Sequence, residues 1–192
     1  MKLLRTICLD ASDSFVFEKP AEPGEWAVSG AFAFAHCDPA SLQGKARTAF
    51  RAGFLGLSSL GRSTLVQIVE ANERDRRHAV DMLAAQLVAH FGAPDLAAAR
   101  EAAEEEIGFA ASLCDHSPGV LVAVTRSHEN GMIREVFCTL RPRNGAAHAS
   151  AFEFLEVVGD DDVSVEHFDL TGSRNGAGRE CAAGLLALLC LS

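Results

Sequence analysis

Residues 120–140, VLVAVTRSHENGMIREVFCTL, decide the fold. Two apolar stretches flank Asn130-Gly131, the dipeptide that best fits a two-residue hairpin turn because both turn residues need a positive φ. The stretch therefore predicts an antiparallel hairpin in which Arg126 lies opposite Glu135. We expect these two side chains to satisfy each other, in a pair that contributes a fraction of a kcal/mol when it is exposed.

Two helices are predicted before the hairpin. Asn72 is a capping residue, and apolar residues at helical spacing continue from it to Gly92, a residue type that commonly ends helices in the left-handed conformation. A second helix begins at Pro94 or Asp95 and runs to about Cys114.

The chain before these helices predicts four strands and one further helix. The strands are expected at 3–9, 15–18, 26–36 and 63–70, the last buried on both faces. Asp38-Pro39 indicates a helix start, because a capping carboxylate precedes a proline at the first helical position. Apolar residues at helical spacing extend this first helix to Leu57.

This mixture of elements is typical of an α+β domain. We predict a single domain with a largely antiparallel sheet and about three helices packed on one face. The composition changes at 144–150, so residues 1–143 form the predicted α+β core domain. Residues 144–192 form a C-terminal extension with two strands, at 152–158 and 163–170, and a short apolar tail.

Composition and charge exclude several classes of protein. Hydrophobic residues make up 48% of the 192 residues, too many for a disordered tail. The chain has 17 basic and 26 acidic residues and a net charge of −9. Because phosphate contacts need a basic surface, we expect no nucleic-acid partner and no membrane partner.

The compartment is predicted from the amino terminus and the cysteines. The charged amino terminus has no secretory signal, and the long apolar stretch at 181–191 has about half of the ~20 residues that span a bilayer. The six cysteines form no Cys-x-x-Cys pair, which indicates free thiols. We therefore predict a cytoplasmic protein.

The common catalytic and phosphate-binding motifs do not match. Gly44-Lys45 lacks the upstream glycine of a phosphate-binding loop. Residues 56–61, GLSSLG, are one residue away from a nucleophile elbow, but they precede a strand, whereas the elbow follows one. We predict no catalytic residue, no cofactor and no metal, and a metal site formed by Cys114, His116 and a carboxylate stays open as an alternative.

Glu106 is the anomaly of the second predicted helix. At 100° per residue it projects into the apolar arc, where a carboxylate must find a partner, titrate with a raised pKa or lie at an interface. One interpretation is a satisfied ion pair or a helix edge open to water. The other is a binding or acid–base role, with Cys114 and His116 beside it in a pocket between helix and sheet.

Charge is distributed unevenly along the chain. Residues 39–69 contain no acidic residue, and Arg47 and Arg51 lie one turn apart on the exposed side of the first helix. Residues 152–170 carry seven acidic residues and no lysine or arginine. Either the acidic segment folds over the basic helix, or the helix presents a surface that binds an anion or a partner.

Three segments carry a resemblance to a known family. They are residues 44–57, residues 90–116, and the end of the hairpin, TLRP at 139–142. Over about residues 1–143 the chain resembles an uncharacterised family of small bacterial proteins that carry a domain of unknown function. The motifs of this family have no assigned role, so no catalytic residue is carried over from the resemblance. The resemblance does imply an accessory role, through an association with lipoate- and biotin-ligase-like proteins and molybdoenzyme accessory factors.

Two functions follow as hypotheses. The first is a non-catalytic cytoplasmic interaction or accessory protein, linked to the maturation of cofactor enzymes. It would bind a protein partner, or a second copy of itself, through Arg47 and Arg51 or through the acidic edge of the second helix. The alternative is a small-molecule-binding protein or enzyme that uses Glu106, His116 and Cys114 in a pocket between helix and sheet.

Overall fold

The computed structural model describes residues 1–8, 13–129, 132–142, 155–157 and 179–180. The strands are β1 Lys2–Thr6, β2 Trp26–Val28, β3 Phe54–Gly56, β4 Arg62–Ser63, β5 Leu65–Glu70, β6 Leu121–Glu129, β7 Met132–Pro142, β8 Leu155–Val157 and β9 Arg179–Glu180. The helices are α1 Asp13–Val16, α2 Gly44–Ala52, α3 Glu73–His90 and α4 Leu96–Ser112, with 3-10 turns at Ala31–Phe34 and Pro39–Ser41.

The strands form one antiparallel sheet. Its order is β4-β3-β2-β1-β5-β6-β7-β8, and β9 also pairs with β7. In the β6–β7 ladder Arg126 pairs with Glu135 and Glu129 pairs with Met132, which confirms the predicted hairpin register. The turn residues 130–131 lie outside the described part of the chain.

The helices α3 and α4 pack on the sheet face that carries Phe137. The Phe109 ring of α4 lies 5.6 Å from the Phe137 ring of β7, edge to face. The core between them is apolar and includes Leu83, Ala103, Ile107, Val66, Ile68 and Val122. These contacts confirm the predicted single α+β domain with an antiparallel sheet. Among the described helices, none is both long and apolar enough to cross a membrane.

The sheet is strongly curled. Strands β3 and β7 are five positions apart, which in a flat sheet would separate them by roughly 24 Å. Yet the rings of Phe54 in β3 and Phe137 in β7 lie 6.2 Å apart. Arg126 of β6 also donates hydrogen bonds to the carbonyls of Phe50 and Gly53, just before β3. The two ends of the sheet therefore meet around the core.

The predicted ends of α3 and α4 are confirmed. Asn72 Oδ1 accepts hydrogen bonds from two backbone N–H groups of α3, and the Asp75 carboxylate accepts one from Asn72 N–H, which completes a capping box. Gly92 follows α3 with φ 72°, the left-handed conformation that glycine adopts without strain. Asp95 caps α4 by accepting from Ala98 N–H.

The first predicted helix is wrong in its extent. Asp38 does accept from Ala40 N–H, but it starts only the 3-10 turn Pro39–Ser41, and α2 ends at Ala52. Residues 54–56, which the apolar spacing placed in the helix, pair as β3 with β2. The apolar residues of this stretch fit a helical spacing by coincidence. Strand formation is favoured because β3 gains hydrogen bonds with β2 and buries Phe54.

Three predicted strands also need correction. Residues 15–18 were expected as a strand, but α1 covers 13–16. In 26–36 only β2 is extended, because Gly30 has φ 72° and turns the chain into the 3-10 turn Ala31–Phe34. In the stretch 63–70, β5 alternates buried and half-buried residues and is not buried on both faces.

The C-terminal extension is described in part. β8 lies inside the strand predicted at 152–158 and pairs with the end of β7, and β9 pairs with Arg134 and Glu135. The strand predicted at 163–170 and the apolar tail lie outside the described residues, as does the domain boundary at 143–144.

Substitution of Gly30 tests the packing of the turn that follows β2. An added Cβ would lie 2.4 Å from Leu55 Cβ and 3.0 Å from Arg62 Nη1. We expect Gly30→Ala to lower the free energy of unfolding by about 2–4 kcal/mol, from the positive φ and the clash together. Gly24→Ala is the control, because Gly24 has φ 85° with open space around its Cβ. Denaturant unfolding that gave equal losses for both variants would contradict the packing role of Gly30.

Candidate functional site

A buried ion pair lies on the inner side of the hairpin. The side chains of Arg126 and Glu135 are 0% and 1% exposed, and Arg126 Nε donates to Glu135 Oε1 over 2.7 Å. Ser29 Oγ donates to the same oxygen over 2.5 Å. The sequence predicted this pair from the register, but it gave no sign that the pair is buried in the core.

Arg126 has no donor left for a ligand. Its N–H groups reach five acceptors: Glu135 Oε1, Ser29 Oγ, and the carbonyls of Ser29, Phe50 and Gly53. A guanidinium has five N–H donors, so all of them have an acceptor. We call Ser29, Arg126 and Glu135 the Arg126 cluster. Its role is structural, because its hydrogen bonds link β6 to the segments that follow β2 and precede β3.

Glu106 faces the interior, as its place on the helix predicted. It is 4% exposed, and its Oε1 accepts a hydrogen bond of 3.4 Å from Gly30 N–H. The carbonyl of Gly30 accepts in turn from Arg62 Nη1 over 3.3 Å. The carboxylate thus holds the turn after β2 against α4.

Cys114 and His116 lie at the far end of α4 from Glu106. Eight residues separate Cys114 from Glu106, which is roughly 12 Å along a helix. The buried Cys114 thiol donates to Ala110 O over 3.3 Å, and the His116 carbonyl accepts from Lys2 Nζ over 2.6 Å. The hydrogen bonds of Glu106 and Cys114 to described residues therefore lie at opposite ends of α4.

Cys114 is also held in its neutral form. Burial raises the pKa of its thiol to about 12, an effect that Lys2 opposes and Asp115 adds to. A nucleophile or metal ligand needs the thiolate. In the described part of the chain, no group of three or more His, Cys, Asp or Glu side chains could hold a metal ion.

The serines of the GLSSLG stretch are tied to a carboxylate that sequence reasoning missed. Glu25, 8% exposed, accepts from the N–H groups of Ser58 and Ser59 over 2.7 and 2.9 Å and from Ser59 Oγ over 2.6 Å. A Cβ on Gly56 would lie 2.5 Å from that carboxyl carbon. These contacts fix the turn between β3 and β4, so the two serines have a structural role.

Arg47 and Arg51 are exposed on α2, whereas Phe50 of the same helix is buried. Neither has a carboxylate partner within 4 Å among the described residues. The exposed Lys45 likewise has none, and its Nζ donates to Phe17 O over 3.4 Å. We call Arg47 and Arg51 the basic α2 surface, since Lys45 projects roughly 160° away from Arg47 around the helix axis.

A groove of about 300 Å³ lies beside Arg62, at the sheet edge formed by β4. The sequence placed Arg62 in the acid-free region but gave no reason to single it out. Its partners are the carbonyls of Gly30 and Gly53, which carry no sequence signal.

The state of Cys114 can be measured by alkylation of the folded protein. A pKa of about 12 against the ordinary 9.0 gives a thiolate fraction about 1000-fold smaller at neutral pH. With iodoacetamide we expect the exposed Cys37 and Cys138 to react. Cys114 should react at least about 100-fold more slowly until the chain is unfolded. Peptide mass spectrometry showing Cys114 and Cys138 modified at similar rates would contradict this.

Comparison with known proteins gives a family and no function. A family model described as a family of unknown function, DUF6505, matches residues 1–154. No curated protein and no solved structure matches the chain. The match covers most of the chain and agrees with the resemblance stated above. The chain therefore belongs to the family of unknown function DUF6505.

Proposed function

We propose that the protein is a non-catalytic interaction protein that binds an acidic segment of a partner protein through the basic α2 surface. The observation that carries the proposal is that two exposed arginines, one helical turn apart, lack a carboxylate neighbour among the described residues of a chain whose net charge is −9. Charged patches opposite in sign to the rest of a protein steer and orient an oppositely charged partner.

Other arginines of the described chain support this contrast. Arg100 pairs with Asp81, Arg134 with Glu129 over 3.2 Å, and Arg76 with Glu73 over 3.8 Å. These three arginines outside α2 lie beside carboxylates. The exposed Arg74 and Arg77 have none within 4 Å among the described residues, but they share α3 with Glu73, Asp75 and Asp81. Because residues 39–69 contain no acidic residue, α2 cannot neutralise itself in the same way.

The helix is also held firmly in place. The carbonyls of Phe50 and Gly53, at the end of α2, accept hydrogen bonds from Arg126, and the rings of Phe50 and Phe34 lie 5.4 Å apart. Arg47 and Arg51 therefore project from a fixed backbone, one helical turn apart. A pre-organised pair of guanidinium groups loses less entropy when it binds carboxylates.

The non-catalytic part of the proposal is supported by the local roles of the candidate nucleophiles. Ser59 is hydrogen bonded to Glu25, and the thiol of Cys114 is neutral and enclosed. The role in cofactor-enzyme maturation that the resemblance implied belongs to this proposal as well. It would make the acidic partner an enzyme of that kind or one of its accessory factors.

Paired charge reversals test the proposal in the full-length chain. We expect tagged wild-type protein to capture a partner from native lysate in a salt-sensitive way. Arg47→Glu with Arg51→Glu should lose it, with a Kd for the purified partner at least about tenfold weaker. Arg74→Glu with Arg77→Glu, on exposed positions of α3, is the matched control with the same change in net charge, and it should retain the partner.

Three results would contradict the proposal. One is equal capture by both variants, which would place the interface elsewhere. Another is equal loss in both, which would show that net charge alone matters. The third is that the tagged protein captures only further copies of itself. The basic α2 surface would then be occupied within this protein, by a second copy or by the acidic residues 152–170, and not by a different protein.

A further inference from the structure

The groove beside Arg62 combines an apolar wall with one cation. Ile7, Phe17 and Pro23 supply the wall, Arg62 and Ser63 lie on the β4 side, and Glu22 lies on the lining as well. Its volume of about 300 Å³ is at the lower end of the range for small-molecule sites. The basic α2 surface has no part in it, so the inference is independent of the proposed function.

The guanidinium of Arg62 is fixed in one orientation. Its Nη1 donates to the carbonyls of Gly30 and Gly53, both over 3.3 Å. Its carbon atom Cζ lies 4.6 Å from the centre of the Phe34 ring, so one flat face of the group is covered. The edge formed by Nε and Nη2 is not used by these contacts.

That edge is open. Within the described residues Nε and Nη2 donate to no acceptor, and no carboxylate lies within 4 Å of them. Among the described residues, the one buried side-chain nitrogen or oxygen without a hydrogen-bond partner is Glu135 Oε2. Since Nε and Nη2 of Arg62 have no partner either, they are not buried. Both N–H groups therefore reach solvent. Two parallel N–H donors on one side of a planar guanidinium match the two oxygens of a carboxylate.

Among the described residues, no carboxylate serves as a counter-ion for Arg62. Burial, and then the positive charge of Arg126, lower the pKa of Arg62 to about 9, so the group remains charged at neutral pH. Arg126 is neutralised by Glu135, and no described carboxylate does the same for Arg62. A partly desolvated cation of this kind gains more from an anion than an exposed one does.

We propose that the groove binds a small organic acid, with its carboxylate on Nε and Nη2 of Arg62 and its apolar body against Ile7, Phe17 and Pro23. The apolar wall favours a ligand with an aliphatic or aromatic body over a free inorganic anion. Glu22 favours a singly charged carboxylate over a doubly charged phosphate, because its own charge repels the second negative charge.

The test uses hexanoate as the probe, with 1-hexanol and inorganic phosphate as comparisons. Amide NMR titration of the full-length protein should show saturable shifts at Ile7 and at residues 62–64 with hexanoate. At equal concentration, 1-hexanol and phosphate should each bind at least tenfold more weakly. Arg62→Lys keeps the charge but lacks the two-pronged edge, and we expect at least a tenfold loss of affinity. Arg74→Lys, on an exposed position of α3 outside the groove, is the matched control and should bind hexanoate as the wild type does.

Several outcomes would overturn the inference. Phosphate binding as tightly as hexanoate would show a general anion site, and hexanol binding as tightly would show an apolar groove in which Arg62 has no role. Shifts outside the groove, or no saturation with hexanoate, would remove the site. If Arg62→Lys does not fold, the comparison of the three probes on the wild-type protein decides the question.

Discussion

The buried guanidinium of Arg126 is the interaction on which the rest of the structure depends. It joins β6 to the carbonyls of Ser29, Phe50 and Gly53, which belong to the opposite end of the sheet. Removing a charged pair from water costs several kcal/mol, and here the ion pair with Glu135 and four further hydrogen bonds of Arg126 offset that cost. If one of the two side chains were removed, the other would remain in the core as an uncompensated charge. The contact between the two ends of the sheet therefore needs both.

Both candidate binding surfaces depend on this closure. The carbonyl of Gly53 accepts from Arg126 and also from Arg62, so one short segment fixes the end of α2 and the guanidinium at the groove. Gly30 has a similar double role, since its N–H donates to Glu106 and its carbonyl accepts from Arg62. The basic α2 surface and the Arg62 groove are therefore presented by rigid backbone, which favours binding without rearrangement.

The sequence predicted the parts of this fold that local rules determine. The hairpin register and the caps of α3 and α4 follow from turn and capping chemistry within a few residues, and the structure agrees with them. The extent of α2 and the burial of Arg126 depend on contacts between distant segments. Ser29 and Arg126 are 97 residues apart, and the acceptors are carbonyls that every residue has. Arg47 and Arg51 could be identified from local charge and helical spacing. Arg62 could not, because its role depends on the carbonyls of Gly30 and Gly53, which carry no sequence signal.

The most direct test of the account is the effect of Arg126→Met on the contact between the two ends of the sheet. We predict that the free energy of unfolding falls by about 3–5 kcal/mol. The proton NOEs between the Phe54 and Phe137 rings, whose centres lie 6.2 Å apart, should disappear while those within the β6–β7 hairpin remain. Arg134→Met, which removes an exposed pair with Glu129, should change neither. Ring NOEs that persist in Arg126→Met, with a stability loss below about 0.5 kcal/mol, would contradict the central role of Arg126.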